Sequence, residues 1–256
     1  MINNIDKKIL FSGLIVAIAF VILASAVKNG KPTCNRFIFN TYAYVTFMIV
    51  WIAAANLYLL DYIKTQQKSP NKNQSALVVI SPLNLILLFI FSLFLLLQLV
   101  KTPSTEPIRK HILLVLWLTV FSVFTADTAH SIQNKNPQAL AQLITTFISI
   151  VVAASSAAVL FPNVIKTWWI FALMIALVGL IIARIIFAVA GYDKTTPQQQ
   201  TLSLVASVIF SLFIAYDTKT AIIASKICKE GNADYIRYST DLFLDFVNLF
   251  SNLDDL

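Results

Sequence analysis

The sequence predicts an all-α integral membrane protein, a helical bundle of about seven to eight transmembrane helices, and three observations carry that expectation. Of 256 residues, 58% are hydrophobic and only 12% are Asp, Glu, Lys or Arg, about half of the ~25% charged share of a soluble domain. Mean hydropathy is +0.79. The apolar residues gather in runs close to the ~20 residues that a helix needs to cross ~30 Å of hydrocarbon. With 19 Phe and 5 Gly, the chain falls outside the disordered, collagen-like and disulfide-rich secreted classes.

The first run, residues 9–27, follows Lys7-Lys8 and has the start of a signal peptide. It ends in Val27-Lys28 with a second span close behind, and so reads as a retained helix. Runs 37–60, 77–100 and 112–126 follow. Run 139–161 opens after Asn136-Pro137 and contains Ala153-Ala154-Ser155-Ser156-Ala157-Ala158, a small-residue block that lets a neighbouring helix approach closely. Run 168–190 holds Arg184, run 201–216 stops at Asp217, and an eighth segment, 235–253, is apolar on one side only. The connections are short and punctuated by Pro and Asn, as at Lys31-Pro32, Thr102-Pro103 and Thr196-Pro197. They leave no room for a second soluble domain, and no repeat is visible. The chain therefore divides into an N-terminal region, 1–36, with an additional helix at 9–27, and a transmembrane domain, 37–256.

The net charge of +7 sits mostly in short loops, where Lys and Arg set topology and touch anionic headgroups. Membrane lipids, not nucleic acid, are the expected partner. If all eight segments cross, loops 28–36, 101–111, 162–167 and 218–234 carry ten Lys and Arg against seven on the other side. That bias places Cys34, Cys228 and the 218–234 loop in the cytosol and both termini outside. The sequon Asn73-Gln74-Ser75 lies on the outer side but so near the next span that it reads as unused. Cys34 and Cys228 occupy different loops with no CxxC or Cys/His spacing, which argues against a disulfide scaffold and a zinc site.

Ionisable residues inside spans are costly, and each is a functional candidate. Arg184 lies six residues from the end of its run, ~9 Å along the axis, and either snorkels or pairs with an internal carboxylate. In the last segment Asp234, Tyr238, Asp241, Asp245, Asn248 and Asn252 recur at spacings of 4, 3, 4, 3 and 4, one stripe of a helix. An interfacial helix would carry Lys or Arg on that face. An acidic stripe instead faces other helices or internal water. Were Asp217 to approach Asp245, the two carboxyls could share one proton and act as a pH-responsive latch. Carboxylate oxygens are also hard ligands for a transient Ca²⁺ contact at Asp217 and Asp245.

At these residues the sequence resembles a known family. Ala215-Tyr216-Asp217-Thr218, followed by Leu242-Phe243-Leu244-Asp245-Phe246-Val247-Asn248-Leu249-Phe250, is similar to the paired C-terminal signature of the Bax-inhibitor family, the transmembrane Bax inhibitor motif proteins. Asn136-Pro137-Gln138-Ala139 looks like the start of that family's Thr- and Ala-rich helix, and residues 36–42 resemble the opening of its first helix. The resemblance implies six helices around a central C-terminal one, here 235–253, with Asp217 and Asp245 matching an aspartate pair linked to pH-sensitive Ca²⁺ leak and suppression of cell death. It implies calcium as permeant ion with no cofactor, partners among cell-death regulatory proteins, and a multi-pass location in the endoplasmic reticulum or another endomembrane, or in the plasma membrane of a bacterium. Two departures stand out: the additional helix at 9–27, and the absence of any charge from 83–100, which leaves Arg184 as the one intramembrane basic candidate to partner the carboxylates, with Asp241 and Asn248 as supporting polar residues.

No enzyme is expected. An intramembrane aspartyl protease also needs two membrane aspartates, but Asp245 sits in Leu-Phe-Leu-Asp-Phe without a G-x-G-D arrangement, and neither His111 nor His130 has an evident nucleophile partner. A non-conducting regulator acting through protein partners is the other alternative.

Overall fold

In the computed structural model, residues 4–28, 31–66, 82–192 and 196–256 are described. The sequon at Asn73 lies outside them. The described chain is almost wholly helical: α1 (Asn4–Ala26), α2 (Phe37–Gln66), α3 (Pro82–Lys101), α4 (Pro107–Phe121), α5 (Ala126–Asn134), α6 (Pro137–Leu160), α7 (Trp169–Val189), α8 (Pro197–Ile227) and α9 (Tyr235–Asp254). The exception is an antiparallel pair of two-residue strands, β1 (Val27–Lys28) and β2 (Lys31–Pro32), between α1 and α2.

Five helices are long and apolar enough to cross a bilayer: α2, α3, α6, α7 and α8. Together with the family reported below, they make the chain an integral membrane protein. Among the described residues these five meet the criterion of length and composition, and Ser12–Ala26 is a shorter apolar helix. The 15-residue α4 is short for ~30 Å of hydrocarbon. Lipid-directed faces are plain on α3, where Leu83, Ile86, Leu87, Phe89 and Ile90 are exposed, and on α7, where Phe171, Ile175, Val178 and Ile182 are.

The elements start and stop where backbone chemistry dictates. Pro107 and Pro137 occupy first-turn positions, where a missing N–H costs nothing. Asn136 Oδ1 accepts from Ala139 N at 2.8 Å, capping α6. Run 112–126 does not form one helix. It breaks after Phe121 into tight turns, with Val123 N to Val120 O, Phe124 N to Phe121 O and Thr125 N to Ser122 O. Ser122 and Thr125 hydroxyls both turn back on backbone carbonyls there, competing with the ladder. The loop expected at 127–138 is largely α5. The largest correction is α8, which runs to Ile227 instead of stopping at Tyr216. Thr218, Ala221 and Ala224 are buried at threefold spacing, so a helical face continues beyond the point where Asp217 ends the apolar run.

The chain forms two compact units. The first comprises residues 1–133 and 227–239. In it α1 packs on α2, and α4 on both α2 and α3. Asn40, fully buried on α2, is satisfied by Ser25: its Oδ1 accepts from Ser25 Oγ at 2.7 Å and its Nδ2 donates to Ser25 O at 3.3 Å. Trp51 Nε1 donates to Thr119 Oγ1 at 3.2 Å, and Asn56 Nδ2 to Thr125 Oγ1 at 2.9 Å. Val45, Met48, Leu114, Trp117 and Leu118 are buried in these helices.

The second unit comprises residues 134–226 and 240–256. As the small-residue block predicts, α6 and α8 meet closely: Ala158 and Ala215 pack with Ile165, Ala154 and Tyr216, and Thr218 Oγ1 lies 3.5 Å from Ser155 Oγ. Phe147 of α6 sets its edge against Phe246 and Phe250 of α9. Along α9, only Arg237, Asp241 and Asn248 are exposed. Most of its length is therefore covered by protein.

Candidate functional site

The site is built on α8 and α9, joined by the 228–234 connection. Gly231 takes φ +85° there, a conformation that a Cβ would disfavour, and Asn232 N bonds Lys229 O at 2.9 Å. Asp234 then caps α9, its Oδ1 accepting from Arg237 N at 3.2 Å.

Asp217 stands ten residues before the end of α8 and Asp245 ten residues after the start of α9, so each lies ~15 Å along its helix from the connection. Asp217, where the apolar run stops, is therefore inside α8 and not at its end. The two carboxyls are close enough for each to act electrostatically on the other. Asp245 is 7% exposed, and its Oδ2 is buried without a bond of ordinary geometry. Asp245 thus keeps an open acceptor. Asp241, one turn earlier and exposed, adds negative charge that acts on both.

The other expected members divide. Arg184 neither snorkels freely nor reaches a carboxylate: its Nη2 donates to Ser203 Oγ at 3.2 Å and to Asn252 Oδ1, both neutral, and its Nε is buried without a partner. Asn252 lies seven residues beyond Asp245, ~10 Å along α9, so Arg184 does not replace a basic partner for the acid pair. Asn248 is exposed and donates to Leu244 O of its own helix at 2.8 Å, which leaves it outside the pair. Among the described residues no group of three His, Cys, Asp or Glu is placed to hold a metal ion.

Several ties were not visible in the sequence. Lys110, 2% exposed, donates to Asp234 Oδ2 at 2.7 Å and to Thr102 O at 2.8 Å. Tyr44 OH lies 2.6 Å from His111 Nε2 while His111 Nδ1 lies 2.6 Å from Pro107 O. A carbonyl only accepts, so Nδ1 carries a proton, and in the neutral ring Tyr44 donates to Nε2. Lys135 pairs with Asp254 at 3.1 Å. Cys34 and Cys228 form a disulfide across 194 residues, against the expectation from their spacing. Loop-separated cysteines carry no local pairing signal, so only the fold brings them together.

Fold and site define a polytopic helical membrane protein with two neighbouring acidic side chains on a C-terminal helix pair. The sequence profile of the family described as inhibitor of apoptosis-promoting Bax1 matches residues 34–254, and the chain belongs to that Bax-inhibitor family. None of the curated proteins matches it. The matched region begins after α1.

Proposed function

We propose that this protein is a pH-sensitive cation leak, with Ca²⁺ as the permeant ion, in which Asp217 and Asp245 are the latch and α9 is the central helix of the transmembrane bundle. The observation that carries the reading is the approach of these two carboxyls inside the protein, with Asp241 as a third acid beside them. One proton between the acids bonds α8 to α9, whereas its loss leaves like charges in a poor dielectric. They then separate or take up a cation, for which carboxylate oxygens are suitable hard ligands. Suppression of cell death follows if the leak lowers releasable Ca²⁺ in an endomembrane store, with lipids and cell-death regulatory proteins as partners. In this role the chain needs no cofactor and carries out no enzymatic chemistry.

The test is reconstitution in liposomes enclosing a Ca²⁺-sensitive dye. Wild-type flux is expected to vary with pH, and Asp217→Asn and Asp245→Asn each to flatten that dependence, with the double variant no worse than either single. Wild-type pH dependence in a correctly inserted single variant overturns the latch. No flux at any pH from folded protein overturns the leak and favours a non-conducting regulator. Cleavage of a membrane-embedded peptide, abolished by both substitutions, would favour an aspartyl protease.

A further inference from the structure

The Cys34–Cys228 bond belongs to a larger junction. Glu230 Oε1 accepts from Cys34 N at 3.2 Å and lies 3.5 Å from Thr33 Oγ1, while Gly231 N donates to Pro32 O at 2.9 Å. The segment leading into α2 and the connection between α8 and α9 are thus matched by backbone and side-chain bonds beside the sulfurs. These contacts hold the two cysteines side by side in the folded chain, so the pairing follows from the fold. A disulfide so placed forms and persists where thiols are oxidised, and is rare where glutathione and thioredoxin keep them reduced.

We propose that Cys34 and Cys228 are cross-linked on the oxidising, extracytoplasmic side of the membrane by exchange with a protein disulfide, so that this end of the protein faces away from the cytosol. In the exchange, one cysteine thiolate attacks the donor disulfide and displaces one donor thiol. The second cysteine thiolate then displaces the other. Two electrons and, in net balance, two protons pass from the cysteines to the donor, which leaves as a dithiol. The orientation is opposite to that from loop charge, and the structure shows why the charge bias is weak. Two of the ten residues behind it are engaged inside the protein: Lys110 with Asp234 and Thr102, and Lys219 with the carbonyl of Ile165. With these two and Lys135, which Asp254 engages on the opposite side, set aside, the count is eight against six, a margin too small to outweigh the covalent bond.

The inference does not depend on conduction, and its test reads thiols alone. Cells producing the full chain are lysed in excess N-ethylmaleimide, and the protein is then treated with a polyethylene-glycol maleimide with or without prior reduction. Two added masses after reduction and none before are expected. Cys34→Ser and Cys228→Ser should each free one thiol that is labelled without reductant. Either cysteine labelled in unreduced wild type overturns the cross-link. For sidedness, sealed vesicles of known orientation receive a membrane-impermeant phosphine followed by an impermeant maleimide. Labelling from the extracytoplasmic face alone is expected, and labelling of the reduced thiols from the cytosolic face overturns the orientation.

Discussion

Lys110 and Asp234 make a prediction that can be worked from the coordinates. The ammonium is 2% exposed and bonded to Asp234 Oδ2 and Thr102 O, whereas the Asp234 side chain keeps 24% of its surface. Asp234 has a second duty, because its Oδ1 caps α9 at Arg237 N. Asparagine has one acceptor oxygen and cannot do both. If that oxygen keeps the cap, its NH₂ group points at the ammonium. Asp234→Asn therefore leaves a buried cation with one neutral carbonyl, at a cost of about 3–5 kcal/mol. Lys110→Met removes the ammonium, fills similar space, and leaves a carboxylate with water access and its cap intact, costing about 1–2 kcal/mol. At ~2–4 °C per kcal/mol for a chain near this size, the single variants should lose ~6–20 °C and ~2–8 °C. The double variant should resemble Lys110→Met, since no charge is stranded. Tryptophan fluorescence of detergent-solubilised protein, scanned at one heating rate, measures the order. Equal losses in the two singles, or a double variant as unstable as Asp234→Asn, would refute the assignment of the damage to an unpaired ammonium.

The other expectations concern the second unit. Because the recorded partners of Arg184 are the neutral Ser203 and Asn252, Arg184→Met should leave the apparent unfolding temperature within ~4 °C of wild type or raise it, while Asn252→Leu strands the guanidinium at ~1–3 kcal/mol. If Arg184→Met proves the more damaging of the two in the same thermal scan, a charged partner exists. Ala158 is fully buried beside Ala215, so Ala158→Leu should cost ~1–3 kcal/mol by overpacking, whereas Leu at the neighbouring exposed Val159 should not. Similar losses at the two positions would mean that α6 and α8 do not meet at this seam.

The helices were legible because lipid-facing residues write hydrophobicity directly into the chain, and α6 and α7 fall within about two residues of their expected limits. α8 was misjudged at its C-terminal end because hydropathy reports solvent, whereas Thr218, Ala221 and Ala224 report packing at nearly the same mean polarity. The proposed acid pair rests on two sequence signals: the stripe on α9 singled out Asp245, and the family likeness named Asp217. The company they keep was not legible. Arg184 looked like the missing counter-ion because it was the one basic residue inside a run, but sequence gives no depth along a neighbouring helix, and the depth assigns it to Asn252. Lys110 lay in what was taken for a solvated loop. Its burial depends on Thr102 and Asp234, eight and 124 residues away, a distance over which no periodicity carries information.

The equal ten-residue arms from the 228–234 connection to Asp217 and Asp245 restrict how this region can vary in length. A helix turns about 100° and advances 1.5 Å per residue, so one residue inserted between Asp217 and the end of α8 would swing its carboxyl slightly more than a right angle out of phase. Four inserted residues would nearly restore the phase but displace the acid by ~6 Å, more than a turn's rise. Added residues are harmless to the pairing only if they bulge between Lys229 and Ala233, and there the bonds of Glu230 and Gly231 to the segment before α2 would resist them. The hairpin is in effect a gauge whose scale is set by helix geometry and whose zero is fixed by the covalent link at Cys228. Substitutions can tune it freely, whereas insertions and deletions within its arms should be all but forbidden.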